Sequence, residues 1–106
     1  MNDGIVVLIT ASSRDEASAI GTALVNERLA ACVNIVPEVR SLFFWNGKTR
    51  DACETLLVCK SRQELFERLT ERVKGLHSYS VPEIVALPIV AGSPDYLAWL
   101  RDATTK

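Results

Sequence analysis

The sequence predicts an α+β fold with two helices on one face of a four-stranded antiparallel sheet. Segments typical of strands and helices follow one another along the 106 residues in the order βαββαβ, with a further helix at the C-terminus. Two of the strands are joined by Asn46-Gly47, the strongest short hairpin signal. With right-handed crossovers, this order predicts a ferredoxin-like sandwich, here with a long protruding hairpin and a C-terminal helix. We expect a single domain over residues 1–106.

The first strand and helix are indicated by a change of hydrophobic period. Residues 5–9 form a continuous apolar run, which is typical of a central strand covered on both faces. The next segment predicts a helix from about 13 to 28, because apolar residues recur there at helical spacing: Ala17, Ile20 and Leu24. Ser12 or Ser13 is suited to cap its N-terminus, and Glu16 lies at capping-box distance from Ser13.

Residues 29–60 form the hairpin, which is the longest predicted element. Its arms of about 13 residues would span roughly 40 Å. A compact chain of this length has a radius of gyration of about 13 Å and hence a diameter of roughly 33 Å, which is shorter than the arms. Pro37 interrupts the first arm, so we expect a bulge or an unpaired edge there, with a kink. The hairpin is too long for one globule to cover, and aromatic patches usually mark contact surfaces. The tip therefore predicts a subunit interface: Phe43, Phe44 and Trp45.

The second half of the chain repeats the helix–strand pattern. A helix is predicted from about 62 to 74, capped by Ser61 and closed by Gly75. A polar loop, 77–83, leads into a strand over residues 84–90. Pro88 suggests that this strand is an edge strand or carries a bulge. A short final helix follows, with Pro94 in its first turn.

Composition excludes several classes of protein. The formal net charge is −1 and no basic cluster is present, which argues against a nucleic-acid partner. No apolar run approaches membrane-spanning length, and no signal-type segment is visible, so a cytoplasmic address is expected. The three cysteines suit a reducing compartment. A bond between Cys32 and Cys59 across the hairpin stays open at this point, whereas Cys53 lies too far from Cys59 on the same strand.

Polar residues at the ends of apolar segments are the candidates for a ligand cleft: Asn34, Lys60, Tyr79 and Glu83. Each has a simpler explanation. Lys60 is also typical of a solvated strand end, and Asn34 of a partner for the bulge near Pro37. Glu83 precedes an apolar strand, where a structural salt bridge would serve equally well.

His77 is the single histidine, so no multi-histidine site exists within one chain. It follows a helix end, where it can complement the negative terminus. As a metal ligand it would need partners such as Glu83 and a cysteine of a neighbouring subunit, a donor set that suits copper. No zinc spacing, glycine-rich phosphate loop or nucleophile motif is present, which favours a protein without catalytic activity. The segment 10–14 only weakly resembles the phosphate-binding loop of an acylphosphatase.

Five segments together resemble the bacterial divalent-cation tolerance proteins of the CutA family. They stand in that family's order and spacing: RLAACVN at 28–34, WNGK at 45–48, 54–60, HSYSVPEI at 77–84 and DYLAWL at 95–100. The resemblance implies a ferredoxin-like homotrimer whose hairpins reach across neighbouring subunits. It also implies a link to tolerance of copper and other divalent metals.

Four positions depart from the family's pattern. Ser78 stands where many members have proline, and Phe43-Phe44 replace a pair that commonly bears tyrosine. Ile9 stands where some members carry a cysteine proposed to bind copper. The remaining candidates for weak binding of Cu²⁺ or another divalent metal are Cys32, His77 and Glu83. The alternative interpretation is a PII-like sensor that binds a small anionic ligand in the cleft between subunits.

Overall fold

Four strands and three helices lie within residues 3–105, which the computed structural model describes. The strands are β1 (Gly4–Ala11), β2 (Cys32–Trp45), β3 (Lys48–Arg62) and β4 (Ile84–Pro88), and the helices are α1 (Arg14–Asn26), α2 (Phe66–Leu76) and α3 (Pro94–Ala103). The sheet has the order β2-β3-β1-β4, and every neighbouring pair of strands is antiparallel. The predicted ferredoxin-like order is confirmed.

Helices α1 and α2 cover one face of the sheet and form the core with it. The central strands contribute alternate residues, as a sheet with one covered face requires. Gly21 lets α1 approach β2 closely, because a Cβ at this position would lie 3.2 Å from Cγ1 of Val33. The buried cluster consists of Ile5, Val7, Ile9, Ala11, Ala17, Ile20, Leu24, Leu29, Ala30, Leu57, Cys59, Leu69 and Val73.

The opposite face, which we call the open face, is apolar but only partly covered. Its central residues are half-buried, whereas Val85 and Leu87 on the edge strand β4 are 47% and 50% exposed. Strand register aligns the side chains in two rows across the sheet. One row is Leu87, Val6, Lys60 and Cys32, and the other is Val85, Leu8, Val58 and Asn34.

The hairpin turns at Asn46-Gly47, as predicted. Asn46 and Gly47 have φ angles of 50° and 81°, as both central positions of a type I′ turn require, and Trp45 lies opposite Lys48. A bulge at the predicted place sets Pro37 and Glu38 against Thr55, whose hydroxyl donates to the Pro37 carbonyl at 3.1 Å. The described residues measure 44 Å along the longest axis against 25 and 23 Å across it.

Several helix and strand limits differ from the prediction. Helix α1 ends at Asn26 instead of residue 28, because Arg28 adopts a left-handed φ of 60° that closes the helix. Ser61 does not cap α2, since it remains in β3 and donates its hydroxyl to the Leu29 carbonyl at 2.6 Å. A 3₁₀ turn therefore precedes α2, which then continues through Gly75. Strand β4 is two residues shorter than expected and lies at the sheet edge, as Pro88 indicated.

Helix α3 is tied to the end of β3 by a buried arginine. The Nε atom of Arg62 donates to Oγ1 of Thr104 at 2.8 Å, and Glu64 and Asp3 neutralise the guanidinium. Pro94 stands in the first turn of α3, as predicted. None of the helices in the described part of the chain has the length and hydrophobicity needed to span a bilayer.

Candidate functional site

The loop between α2 and β4 is attached to the end of β1 through the imidazole of His77. Its Nε2 lies 2.7 Å from the Thr10 carbonyl, and the Tyr79 N–H donates to Nδ1 at 3.1 Å. A carbonyl only accepts, so Nε2 carries the proton and Nδ1 accepts. The side chain is completely buried. Both ring nitrogens are therefore used in hydrogen bonds within the chain, one to β1 and one to the loop.

Glu16 joins the same loop to the N-terminus of α1. Its carboxylate accepts hydrogen bonds from the Ser12 N–H at 2.9 Å, the Ser12 hydroxyl at 3.0 Å and the Ser78 N–H at 2.8 Å. Burial alone would raise the pKa of Glu16, but these hydrogen bonds outweigh it and lower the pKa to about 2. Its Oε1 lies 3.8 Å from Nδ1 of His77. The carboxylate thus holds two segments that are distant in sequence.

Tyr79 links the loop to the base of the outer hairpin. Its hydroxyl donates to Oε2 of the buried Glu54 at 2.8 Å, and its ring contacts the ring of His77 at 4.7 Å between centroids. Burial, together with this hydrogen bond to Glu54, raises the pKa of Tyr79 to about 12. At neutral pH the phenol is therefore a donor to the carboxylate.

A cleft of about 730 Å³ opens between this loop and the outer half of the hairpin. Its walls combine aromatic and aliphatic side chains with charges of both signs. The lining residues are Thr10, Arg40, Ser41, Leu42, Phe43, Trp45, Arg50, Glu54, Tyr79, Ser80, Val81 and Glu83.

The four residues predicted to share one ligand cleft fall into two groups within a single chain. Tyr79 and Glu83 line the cleft under the hairpin, whereas the Lys60 ammonium donates to the Asn34 side chain on the open face. Lys60 is level with Val6 on β1, four residues from Thr10, a separation of about 13 Å along the strand. Lys60 and Glu83 form no ion pair with each other within residues 3–105, and the carboxylate that accepts the Tyr79 hydroxyl is that of Glu54.

The metal-ligand candidates are also apart within one chain. Cys32 lies beside Lys60 on the open face, with Sγ 3.8 Å from Oδ1 of Asn34, whereas His77 contacts the far end of β1. Among residues 3–105, no group of three or more histidine, cysteine and acidic side chains is placed to hold a metal ion. The donors of one chain therefore do not fit a complete metal site.

The three cysteines are unpaired. For Cys32 and Cys59, the strand register explains why no disulfide forms. Cys32 lies opposite Lys60 and Cys59 opposite Val33, so the two side chains point to opposite faces of the sheet. Burial raises the pKa of Cys59 to about 12, so this thiol stays protonated in the core. Only Cys32 remains near the polar groups of the open face.

Sequence reasoning missed two acidic residues that shape the site. Glu16 was noted only for its capping-box spacing from Ser13. The Ser13 hydroxyl does accept a hydrogen bond from the Glu16 N–H. The carboxylate of Glu16, however, binds Ser12 and Ser78 and not Ser13. Glu54 shows a detectable signal, since it is a lone carboxylate just before an apolar stretch of β3. Its partner lies 25 residues away, a pairing that spacing alone does not reveal.

A sequence profile described as that of the CutA1 divalent ion tolerance protein matches residues 5–103. The chain belongs to the CutA1 family. A divalent-cation tolerance protein CutA of Thermus thermophilus is 54% identical over 99 residues, which is 93% of this chain and 96% of that protein. The chloroplastic protein CutA of Arabidopsis thaliana is 48% identical over 94% of this chain, which spans only 55% of the plant protein.

Solved structures of CutA1 proteins agree with the fold. The Thermus thermophilus structure has a TM-score of 0.94 and 53% identity, covering 96% of this chain and 99% of that one. A structure from Archaeoglobus fulgidus, described as a periplasmic divalent cation tolerance protein CutA, has a TM-score of 0.93 and 38% identity over 96% and 99% of the two chains. The family resemblance drawn from the sequence motifs is confirmed.

Proposed function

We propose that this CutA1 protein acts in divalent-cation tolerance as a homotrimer that binds metal ions without catalytic turnover. The observation that carries the proposal is the family match along nearly the whole chain, together with 54% identity to a protein named for this role. The hydrogen-bond network around the loop 77–83 indicates that the polar residues of this loop have a structural role. His77, Glu16 and Tyr79 all have their hydrogen-bonding groups committed to holding the loop in place.

Two exposed apolar surfaces support the trimer. The hairpin tip carries Leu42 and Phe44, which are 64% and 72% exposed, beside the half-exposed Phe43 and Trp45. The open face adds a second apolar surface that continues onto the edge strand β4. Monomeric proteins rarely leave contiguous apolar surface of this kind in water. We place Phe43, Phe44 and Trp45 in the contact between subunits.

Trp45→Ala is expected to weaken assembly by about 2 kcal/mol or more per contact, because large aromatic residues are typical interface anchors. Sedimentation equilibrium of the wild-type chain at micromolar concentration should give the mass of three subunits, and the variant should show a concentration-dependent loss of that mass. A wild-type chain that remains a folded monomer would contradict the proposal.

Metal binding is proposed to be weak and to use donors from more than one subunit, since those of a single chain are apart. Cys32, His77 and Glu83 are the proposed donors, and Cu²⁺ suits a set that includes imidazole and thiolate. To use Nδ1 of His77, the metal must displace the Tyr79 N–H. This competition is the physical reason for expecting low affinity.

His77→Ala is expected to reduce Cu²⁺ affinity at least tenfold in calorimetric titrations of metal-free protein. Affinity should also fall as the pH is lowered, because metal ligands must be deprotonated to bind. Glu67→Gln, at an exposed position on α2, is the matched control. Circular dichroism should confirm that each variant is folded. Unchanged copper affinity in a folded His77→Ala protein would remove His77 from the donor set.

We further propose a cytoplasmic location. Three free thiols in one chain suit a reducing compartment. The Archaeoglobus fulgidus relative is described as periplasmic and the Arabidopsis thaliana relative as chloroplastic, so location differs between these two family members. Fractionation of cells that express the native chain tests this placement.

A further inference from the structure

The cleft under the hairpin contains four charged side chains, and two of them are already satisfied within the chain. Arg40 forms a two-pronged ion pair with Asp51, with N···O distances of 3.0 and 2.7 Å. Glu54 accepts the hydroxyl of Tyr79. These two side chains therefore help to form the walls and do not need a further partner.

The other two charged side chains, Arg50 and Glu83, have no ion-pair partner among residues 3–105. Arg50 donates only its Nε, to the Trp45 carbonyl at 3.3 Å, and neither it nor Glu83 forms an ion pair within residues 3–105. Both line the same cleft. They do not pair with each other, so they stand more than 4.0 Å apart, one cationic and one anionic.

We propose that this cleft binds a small elongated zwitterion, with its carboxylate on Arg50 and its ammonium group on Glu83. The two free Nη atoms of a guanidinium match a carboxylate in a bidentate arrangement. Val81 lines the same cleft and provides apolar surface that can contact a methylene chain. Of the three proposed metal donors, Glu83 lines this cleft, whereas Cys32 and His77 do not.

The arrangement of the two charges also predicts that a ligand with a single charge binds more weakly. Such a molecule satisfies one side chain and leaves the other to solvent. A ligand with both charges gains two charge-assisted hydrogen-bonding interactions, each stronger than a neutral hydrogen bond. Discrimination therefore comes from the simultaneous presence of both groups at the correct separation.

The test uses three probes with the same body: 6-aminohexanoate, hexanoate and hexylamine. Titration calorimetry of metal-free protein in EDTA should show 6-aminohexanoate binding at least tenfold more tightly than either singly charged probe. 4-Aminobutyrate and 8-aminooctanoate then measure the separation of the two charges. If none of the three amino acids binds more tightly than hexanoate and hexylamine, the proposal is overturned.

Two substitutions assign the ends of the ligand. In Arg50→Gln, 6-aminohexanoate should bind no better than hexylamine, and in Glu83→Gln it should bind no better than hexanoate. Arg14→Gln and Glu67→Gln, at exposed positions on α1 and α2, should keep the wild-type preference. Arg50→Lys keeps the charge if the glutamine variant does not fold, and should retain part of the preference. Wild-type affinity in both Arg50→Gln and Glu83→Gln would place the ligand elsewhere and overturn the proposal.

Discussion

Glu16→Gln is expected to destabilise the folded chain by about 2–3 kcal/mol at neutral pH and to loosen the loop 77–83. The carboxylate accepts two backbone N–H groups and one hydroxyl, and a carboxamide cannot accept all three with equal strength. Hydrogen bonds to charged acceptors contribute about 1.5–3 kcal/mol each. Urea denaturation measures the loss, and hydrogen exchange of the Ser78 amide reports the loop directly.

The pH dependence of stability follows from the low pKa of Glu16. Folding lowers this pKa from its ordinary value of 4.5 to about 2. The stabilisation is fully present above pH 4.5 and is lost as the pH falls towards 2. Because each pH unit between the two values is worth about 1.4 kcal/mol, the loss approaches about 3 kcal/mol.

The control is Glu67→Gln, because Glu67 is exposed on α2. The wild type and this control should both lose stability between pH 4.5 and 2, whereas Glu16→Gln should lose about 3 kcal/mol less over the same interval. Parallel stability curves for all three proteins would show that the carboxylate does not hold the loop.

The hairpin was predictable because its signals are local. Asn46-Gly47 specifies a turn with two positive φ angles, and once the turn is placed, the register of every pair out to the bulge follows. Pro37 indicated the bulge for an equally local reason, because proline has no backbone N–H to donate to the neighbouring strand. Hydrophobic period then located both helices, and the element order with right-handed crossovers assigned them to one face of the sheet.

The candidate site was less predictable, because its contacts join segments that are distant in sequence. His77 stands at the C-terminal end of α2, as expected, but its ring binds the carbonyl of Thr10, 67 residues away. Tyr79 was proposed to join Lys60 in a cleft between subunits; within one chain the loop brings its hydroxyl to Glu54, 25 residues away. The predicted limit at Ser61 was wrong because a tertiary hydrogen bond to the Leu29 carbonyl accompanies its place in β3. At Arg28 the helix is closed locally, by a left-handed residue and short-range backbone hydrogen bonds.

Val85→Glu is expected to have the largest effect on assembly and little effect on the fold of one chain. Val85 is already 47% exposed on the edge strand β4, so a carboxylate there remains hydrated in a monomer. If the open face is buried between subunits, each trimer must desolvate three unpaired carboxylates, at a cost of about 3 kcal/mol or more for each. Sedimentation equilibrium should therefore show monomer at concentrations where the wild type is a trimer.

Val25→Glu is the matched control for this experiment. Val25 is an apolar residue of similar exposure, 41%, but it lies on α1, which covers the other face of the sheet. Its replacement should leave the trimer intact, because no subunit contact is proposed there. If Val25→Glu dissociates the trimer and Val85→Glu does not, the helices, and not the open face, form the contact between subunits. If both variants remain trimeric, assembly depends on the hairpin tip alone, and the effect of Trp45→Ala becomes its only measure.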